Sequence, residues 1–203
     1  MGYALALKVS TFLLLLVFTS SFVNADSNGK IKVFFDQDVL AGSSNILSLV
    51  MLLQHPDVEV VGVGVVAGDS NIADAVYHTL HAVELCGRPD VPVAVGAAVP
   101  YVNNKGAVRG RLNMWGPKGG DGWLGEFGDF APSDGFIRKI PGTPDPLVKP
   151  VAESAAELFV KLARKYPGEL VLVTAGPLTN IALAVSIAPD IVQDIKAVYV
   201  MVT

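Results

Sequence analysis

The stretch Ile31-Lys32-Val33-Phe34-Phe35-Asp36-Gln37-Asp38 (IKVFFDQD, residues 31–38) opens on an apolar run and closes on two carboxylates. Its apolar part is too short for a helix and reads as a buried strand ending at Asp36. Downstream, Asn45 to Gln54 (NILSLVMLLQ) has a helical period that His55-Pro56 stops. Val58 to Val66 (VEVVGVGVV) is a second strand, rich in β-branched residues. Ile72 to Cys86 reads as an amphipathic helix with Gly87 as its C-terminal stop. Val91 to Val95 (VPVAV) is a third strand, in which Pro92 marks an edge or a strand end. Further on, Ala152 to Tyr166 is a helix stopped by Pro167-Gly168. Leu170 to Thr174 is a strand, Asn180 to Ala188 a short helix, and Ala197 to Val202 a last strand.

The order β-α-β-α-β, loop, α-β-α-β predicts an α/β fold. Strands apolar on both faces and separated by helices imply a doubly wound, mostly parallel sheet with helices on both faces. Ligands of such sheets bind at the carboxyl ends of the strands. The segments that matter are therefore 36–45, 67–70, the long loop and 175–180. That loop, residues 96–150, is rich in Gly and Pro and holds Trp115 and Trp123. A loop of such length inside one domain is commonly functional.

Residues 1–25 read as a signal peptide: Lys8 in the n-region, an apolar stretch through Leu13–Val17, and Val23-Asn24-Ala25 as the cleavage site. The expected mature protein is exported to the cell exterior or an endomembrane lumen, has no stable membrane span after cleavage, and consists of one domain over residues 26–203. The 203 residues carry a formal net charge of −4 with scattered Lys and Arg, which argues against a nucleic-acid partner. Cys86 is the single cysteine, so no internal disulfide forms, and a buried structural thiol is its expected role.

Asp36 and Asp38, at i and i+2, can enter one site if the chain bends after the strand. Paired carboxylates there suit a divalent cation or an acid–base pair, and a solvated strand-terminal turn explains them equally well. Asp69 or Ser70 is a good N-cap for the helix that follows. Gly176-Pro177-Leu178-Thr179-Asn180 shapes a strand-to-helix turn. His78 and His81 lie i, i+3 on one helix, with no third metal ligand at suitable spacing.

Taken together and in order, Asp36-Gln37-Asp38, Val66-Ala67-Gly68-Asp69, Gly119-Gly120-Asp121-Gly122-Trp123-Leu124-Gly125, Gly176-Pro177-Leu178-Thr179-Asn180 and Met201-Val202-Thr203 resemble the inosine-uridine nucleoside hydrolase family. The resemblance implies cleavage of the N-glycosidic bond of ribonucleosides by a water bound to calcium. It implies Asp38 as metal ligand and catalytic base, and Asp36, Asn45 and the Ala175 carbonyl as further metal ligands. Ser44, Asp69 and Asp121 would contact the substrate. The implied partner is a nucleoside, and a homo-oligomer is compatible with it.

Three features depart from the family pattern. Its Asp-Asp pair falls on Ser44 and Asn45, its final Met-Gly-Gly is Met201-Val202-Thr203, and its loop His falls on Lys118. The chain also ends where the family is little more than half complete. The resemblance therefore implies weakened calcium binding, and a catalytically inactive, nucleoside-binding relative is the alternative. Val33 to Leu40 also resembles the nucleophile motif of haloacid-dehalogenase phosphatases, but a convincing downstream acidic pair is lacking.

Overall fold

The computed structural model describes residues 29–39, 44–68, 70–99, 137 and 139–201. Residues 1–25, read above as a signal peptide, and Asp69, Lys118, Asp121, both tryptophans, Val202 and Thr203 lie outside the described residues. The elements are β1 (Ile31–Gln37), α1 (Ser44–Gln54), β2 (Val58–Val65), α2 (Ile72–Leu85), β3 (Val93–Val95), α3 (Ala155–Lys165), β4 (Leu170–Ala175), α4 (Thr179–Ile187) and β5 (Ile195–Val200). A 3-10 turn, Pro189–Asp194, joins α4 to β5. The five strands form one sheet in the order β3-β2-β1-β4-β5, and every neighbouring pair is parallel. The doubly wound parallel sheet expected from the sequence is the fold observed.

Alternation along β1 divides the core in two. Val33 and Phe35 face α1 and α2 and pack with Leu49, Leu53, Val63, Val65, Ala75 and Val83. Phe34 faces α3 and α4 and packs with Phe159, Leu162, Leu172, Ala184 and Ile191. The rings of Phe34 and Phe159 are 5.0 Å apart. Burying such a side chain contributes roughly 1.5–3 kcal/mol. Gly62 makes this packing possible: a Cβ there would lie 2.7 Å from Leu162 Cδ1 and 3.2 Å from Phe34 Cδ2. The β1–β2 register shifts between Val33 and Phe34, giving β2 one extra residue at that point.

Several boundaries differ from expectation, each for a local reason. β1 runs through Gln37 because its end pairs with both β2 and β4, so Asp36 sits inside the strand. The cap of α2 is Asn71, not Asp69 or Ser70. Its side chain accepts from the Asp74 N–H, while the Ser70 hydroxyl is spent on the Val39 carbonyl at 2.9 Å. Helix α3 begins at Ala155, where Ser154 and Glu157 form a capping box. Strand β3 is only three residues long and lies at one edge, in keeping with Pro92. Cys86 is half-buried rather than buried. Strand β5 forms the other edge, with Val198, Tyr199, Val200 and Met201 exposed. No helix among the described residues is long and apolar enough to cross a membrane.

Candidate functional site

Because all strands are parallel, the ends of β1, β2, β3 and β4 lie along one edge of the sheet, and β1 is its central strand. Asp36 is in register with Gly64 on β2 and Thr174 on β4. Its carboxylate is completely buried. Gly64 gives it room: a Cβ at that position would overlap Asp36 Oδ1. Asn180, in the first turn of α4, donates from Nδ2 to Asp36 Oδ1 at 2.8 Å and to the Val65 carbonyl at 3.1 Å. Its Oδ1 accepts from the Ala97 N–H at 2.8 Å. One amide thus ties together β1, the end of β2 and the segment after β3. Gly96 packs so closely on that amide that a Cβ would overlap it.

Burial pushes the Asp36 carboxyl up to about 7; the Asn180 hydrogen bond opposes this, and the neighbouring Asp38 adds to it. Asp36 Oδ2 and Thr174 Oγ1, on adjacent register partners, have no hydrogen-bond partner among the described residues.

Asp38 lies just past the strand end, also buried. A Cβ on Gly68 would overlap its Oδ2, and one on Gly176 would lie 3.1 Å from its Cγ. The backbone here is shaped around the carboxylate. Between them, Gln37 points to the opposite face, where its Oε1 accepts from the Val39 N–H at 2.8 Å and its Nε2 donates to Thr79 Oγ1 at 2.6 Å. These bonds hold Gln37 on that face and leave Asp36 and Asp38 together on the other.

Asn45, buried in the first turn of α1, donates from Nδ2 to Asp38 Oδ1 and to the Ala175 carbonyl, each at 2.7 Å. The structure therefore brings together Asp36, Asp38, Asn45 and Ala175. Ser44, the first residue of α1, is exposed. Asp69 and Asp121 are outside the described residues.

Calcium takes roughly six to eight oxygens at about 2.3–2.6 Å. At the point where Asn45 sits the donors are the Asp38 carboxylate, the Ala175 carbonyl and an amide that presents its nitrogen, while the second carboxylate, Asp36, is engaged by Asn180. An N–H₂ group already occupies the point that faces both oxygens, so the donor set as arranged does not fit a divalent cation. Among the described residues no group of three or more His, Cys, Asp or Glu could hold a metal. The two histidines of α2 instead pack edge-on against Tyr77, at 5.2 Å for His78 and 4.6 Å for His81.

The residues missed by sequence reasoning are those that hold the carboxylates. Gln37, Gly68 and Asn180 stood within the family-like motifs without an individual role, and Gly64 carried no expectation. The available signal was period two along β1, which places residues 36 and 38 on one face and residue 37 on the other.

Residues 33–202 match the family described as inosine-uridine preferring nucleoside hydrolase. The chain is 31% identical over 170 residues to a probable uridine nucleosidase 1 of Oryza sativa subsp. japonica, covering 84% of this chain and 46% of that protein. It is 30% identical to uridine nucleosidase 1 of Arabidopsis thaliana, covering 88% and 47%. Among solved structures it resembles the purine-preferring ribonucleoside hydrolase from Gardnerella vaginalis, with a TM-score of 0.62, 26% identity, and coverage of 84% and 48%. The chain spans about half the length of the curated relatives it matches. With the ordered motifs, the parallel sheet and the convergent strand-end carboxylates now joined by these matches, the chain belongs to the inosine-uridine preferring nucleoside hydrolase family.

Proposed function

We propose that the strand-end site is directed at ribonucleosides, and that hydrolysis of their N-glycosidic bond proceeds slowly or not at all at this site. The observation that carries this reading is the convergence of Asp38, Asn45 and the Ala175 carbonyl beside Asp36. Relatives named as uridine nucleosidases and purine-preferring hydrolases support the nucleoside as ligand class.

Asp38 is the candidate base. A carboxylate held in place by Asn45 accepts hydrogen bonds from ribose hydroxyls, or a proton from an attacking water. Such proton transfer is typically worth about 10²- to 10⁴-fold in rate. Asp36 is fully enclosed and orients the strand end rather than meeting the nucleoside. Asn45 brings no charge where the family pattern has a carboxylate, so the ribose is held by fewer strong contacts. Poor positioning forfeits a large share of the rate enhancement of such a reaction. If calcium binds, Asp38 is its main ligand with Asp36 in support, and with one carboxylate pair where the family pattern has more the affinity is weak. Residues 1–25 direct export and are removed; N-terminal sequencing of secreted protein should begin near Asp26, and an intact Met1 would exclude removal.

The deciding assay incubates the chain with inosine, uridine and adenosine, measuring ribose release and, by calorimetry, nucleoside affinity. Binding that Asp38→Ala weakens, with little or no ribose release, is the expected result. Turnover of about one per second, abolished by Asp38→Ala, restores a working hydrolase. Absence of nucleoside binding defeats the ligand assignment.

A further inference from the structure

Two acceptor oxygens from separate segments, Asp38 Oδ1 after β1 and the Ala175 carbonyl at the end of β4, face one point, and Asn45 Nδ2 sits 2.7 Å from each. Such a point admits a cation or a hydrogen-bond donor. We infer that the Asn45 amide is a built-in replacement for the cation: it supplies the positive end of a dipole where an ion would sit, and it makes the strand-end site self-supporting without a metal. This rests on placing Asp38 in the site proposed above.

The chemistry of the amide makes the replacement selective. Its N–H₂ carries two donors, one for each oxygen, and both are used. Turned over, it would set Oδ1 against two other acceptors, an arrangement that only a cation between them could relieve. Orientation is therefore coupled to occupancy: nitrogen inward without a cation, oxygen inward with one. A cation must break two buried hydrogen bonds to reach the Asp38 and Ala175 oxygens, and Asn45 itself contributes only a neutral oxygen in return. Asp at the same position offers no donor and adds a charge, so it would create a need for the ion. The surrounding backbone packs on the Asp38 carboxylate. Gly68 and Gly176 close on the Asp38 carboxylate, and the Ser70 hydroxyl bonds the Val39 carbonyl beside it.

The test compares melting temperatures of the chain and of Asn45→Asp in EDTA and in millimolar calcium chloride, with calcium calorimetry on both. The wild-type melting temperature is expected to be the same in the two buffers to within about 1 °C. Asn45→Asp should melt several degrees lower in EDTA. Calcium at about a hundred times its dissociation constant should raise it by roughly 5–10 °C. Its calcium affinity should exceed the wild type's by at least about tenfold.

A wild-type rise of that size in calcium would overturn the inference, as would Asn45→Asp binding calcium no more tightly than wild type. If Asn45→Asp folds only in calcium, the inference stands. If it folds in neither buffer, Asn45→Ala decides: calcium stabilises it if the amide was the obstacle, and a lack of stabilisation overturns the inference. Nucleoside affinity, read separately, fails or holds independently of these outcomes.

Discussion

Asp36 and Asp38 lie on the same side of the chain two residues apart, and each carboxylate is met by an asparagine whose Nδ2 also donates to a main-chain carbonyl. The surroundings differ. Asp36 is within β1, between Gly64 and Thr174, and its asparagine also accepts from the Ala97 N–H, so that one amide joins three segments. Asp38 is beyond the strand, and its asparagine joins the chain after β1 to the end of β4. The first arrangement closes the sheet edge; the second shapes the surface a ligand would meet. The same side-chain chemistry thus serves the scaffold at one position and the proposed site two residues later.

The pH dependence of stability should break the symmetry most strongly. The Asp36 carboxyl is raised from the ordinary 3.8 to about 7, so the folded chain holds that proton more tightly than the unfolded chain. The stability associated with Asp36 is then full below about pH 4, is lost as pH rises through the window from about 4 to about 7, and is level above it. The loss is of the order of 4 kcal/mol. Urea unfolding at a series of pH values reads it, and Asp36→Asn should flatten the curve. A curve of unchanged shape in that variant would mean that Asp36 is charged at no such penalty.

Removing the asparagines ranks them directly. Asn180→Ala leaves a buried carboxylate oxygen, a carbonyl and an N–H without partners, and should cost about 3 kcal/mol. Gly64→Ala should cost about 2 kcal/mol by forcing a methyl group into the Asp36 carboxylate. Asn45→Ala removes two buried hydrogen bonds, one fewer than Asn180→Ala, and should cost somewhat less than that variant, about 2 kcal/mol. Denaturant midpoints measured side by side give the order. Equal costs for Asn45→Ala and Asn180→Ala would remove the distinction between scaffold and site.

Much of the fold was legible because periodicity and punctuation agreed. The β-branched run of β2, the helix stop at Gly87 with φ 68° and the turn at Gly168 with φ 71° fall where the pattern places them. The strand-end carboxylates were legible from position alone, since a parallel sheet directs attention to residues 36–45 and 175–180. What surrounds them was not. That Gly64 opens space for Asp36, or that Asn180 reaches back across 144 positions to hold it, depends on register between strands distant in sequence. A single sequence carries no signal for that register. Asn45 was legible as a departure from a family pattern, but the direction its amide points follows from which atoms meet it.

The strand order also sets a timetable for synthesis. Strands β1, β2 and β3 emerge first and can pair with one another, but the other side of β1 belongs to β4, whose first residue is Leu170. At about 5–20 residues per second, a ribosome takes on the order of ten seconds to travel from the end of β1 to the end of β4. Through that interval Phe34 lacks Phe159 and Leu172, Asp36 lacks Asn180, and the open side of β1 is available to any passing strand. The nascent chain is therefore most in need of a chaperone between β3 and β4, and a pause in translation there would lower the yield of folded protein even if the finished domain were no less stable.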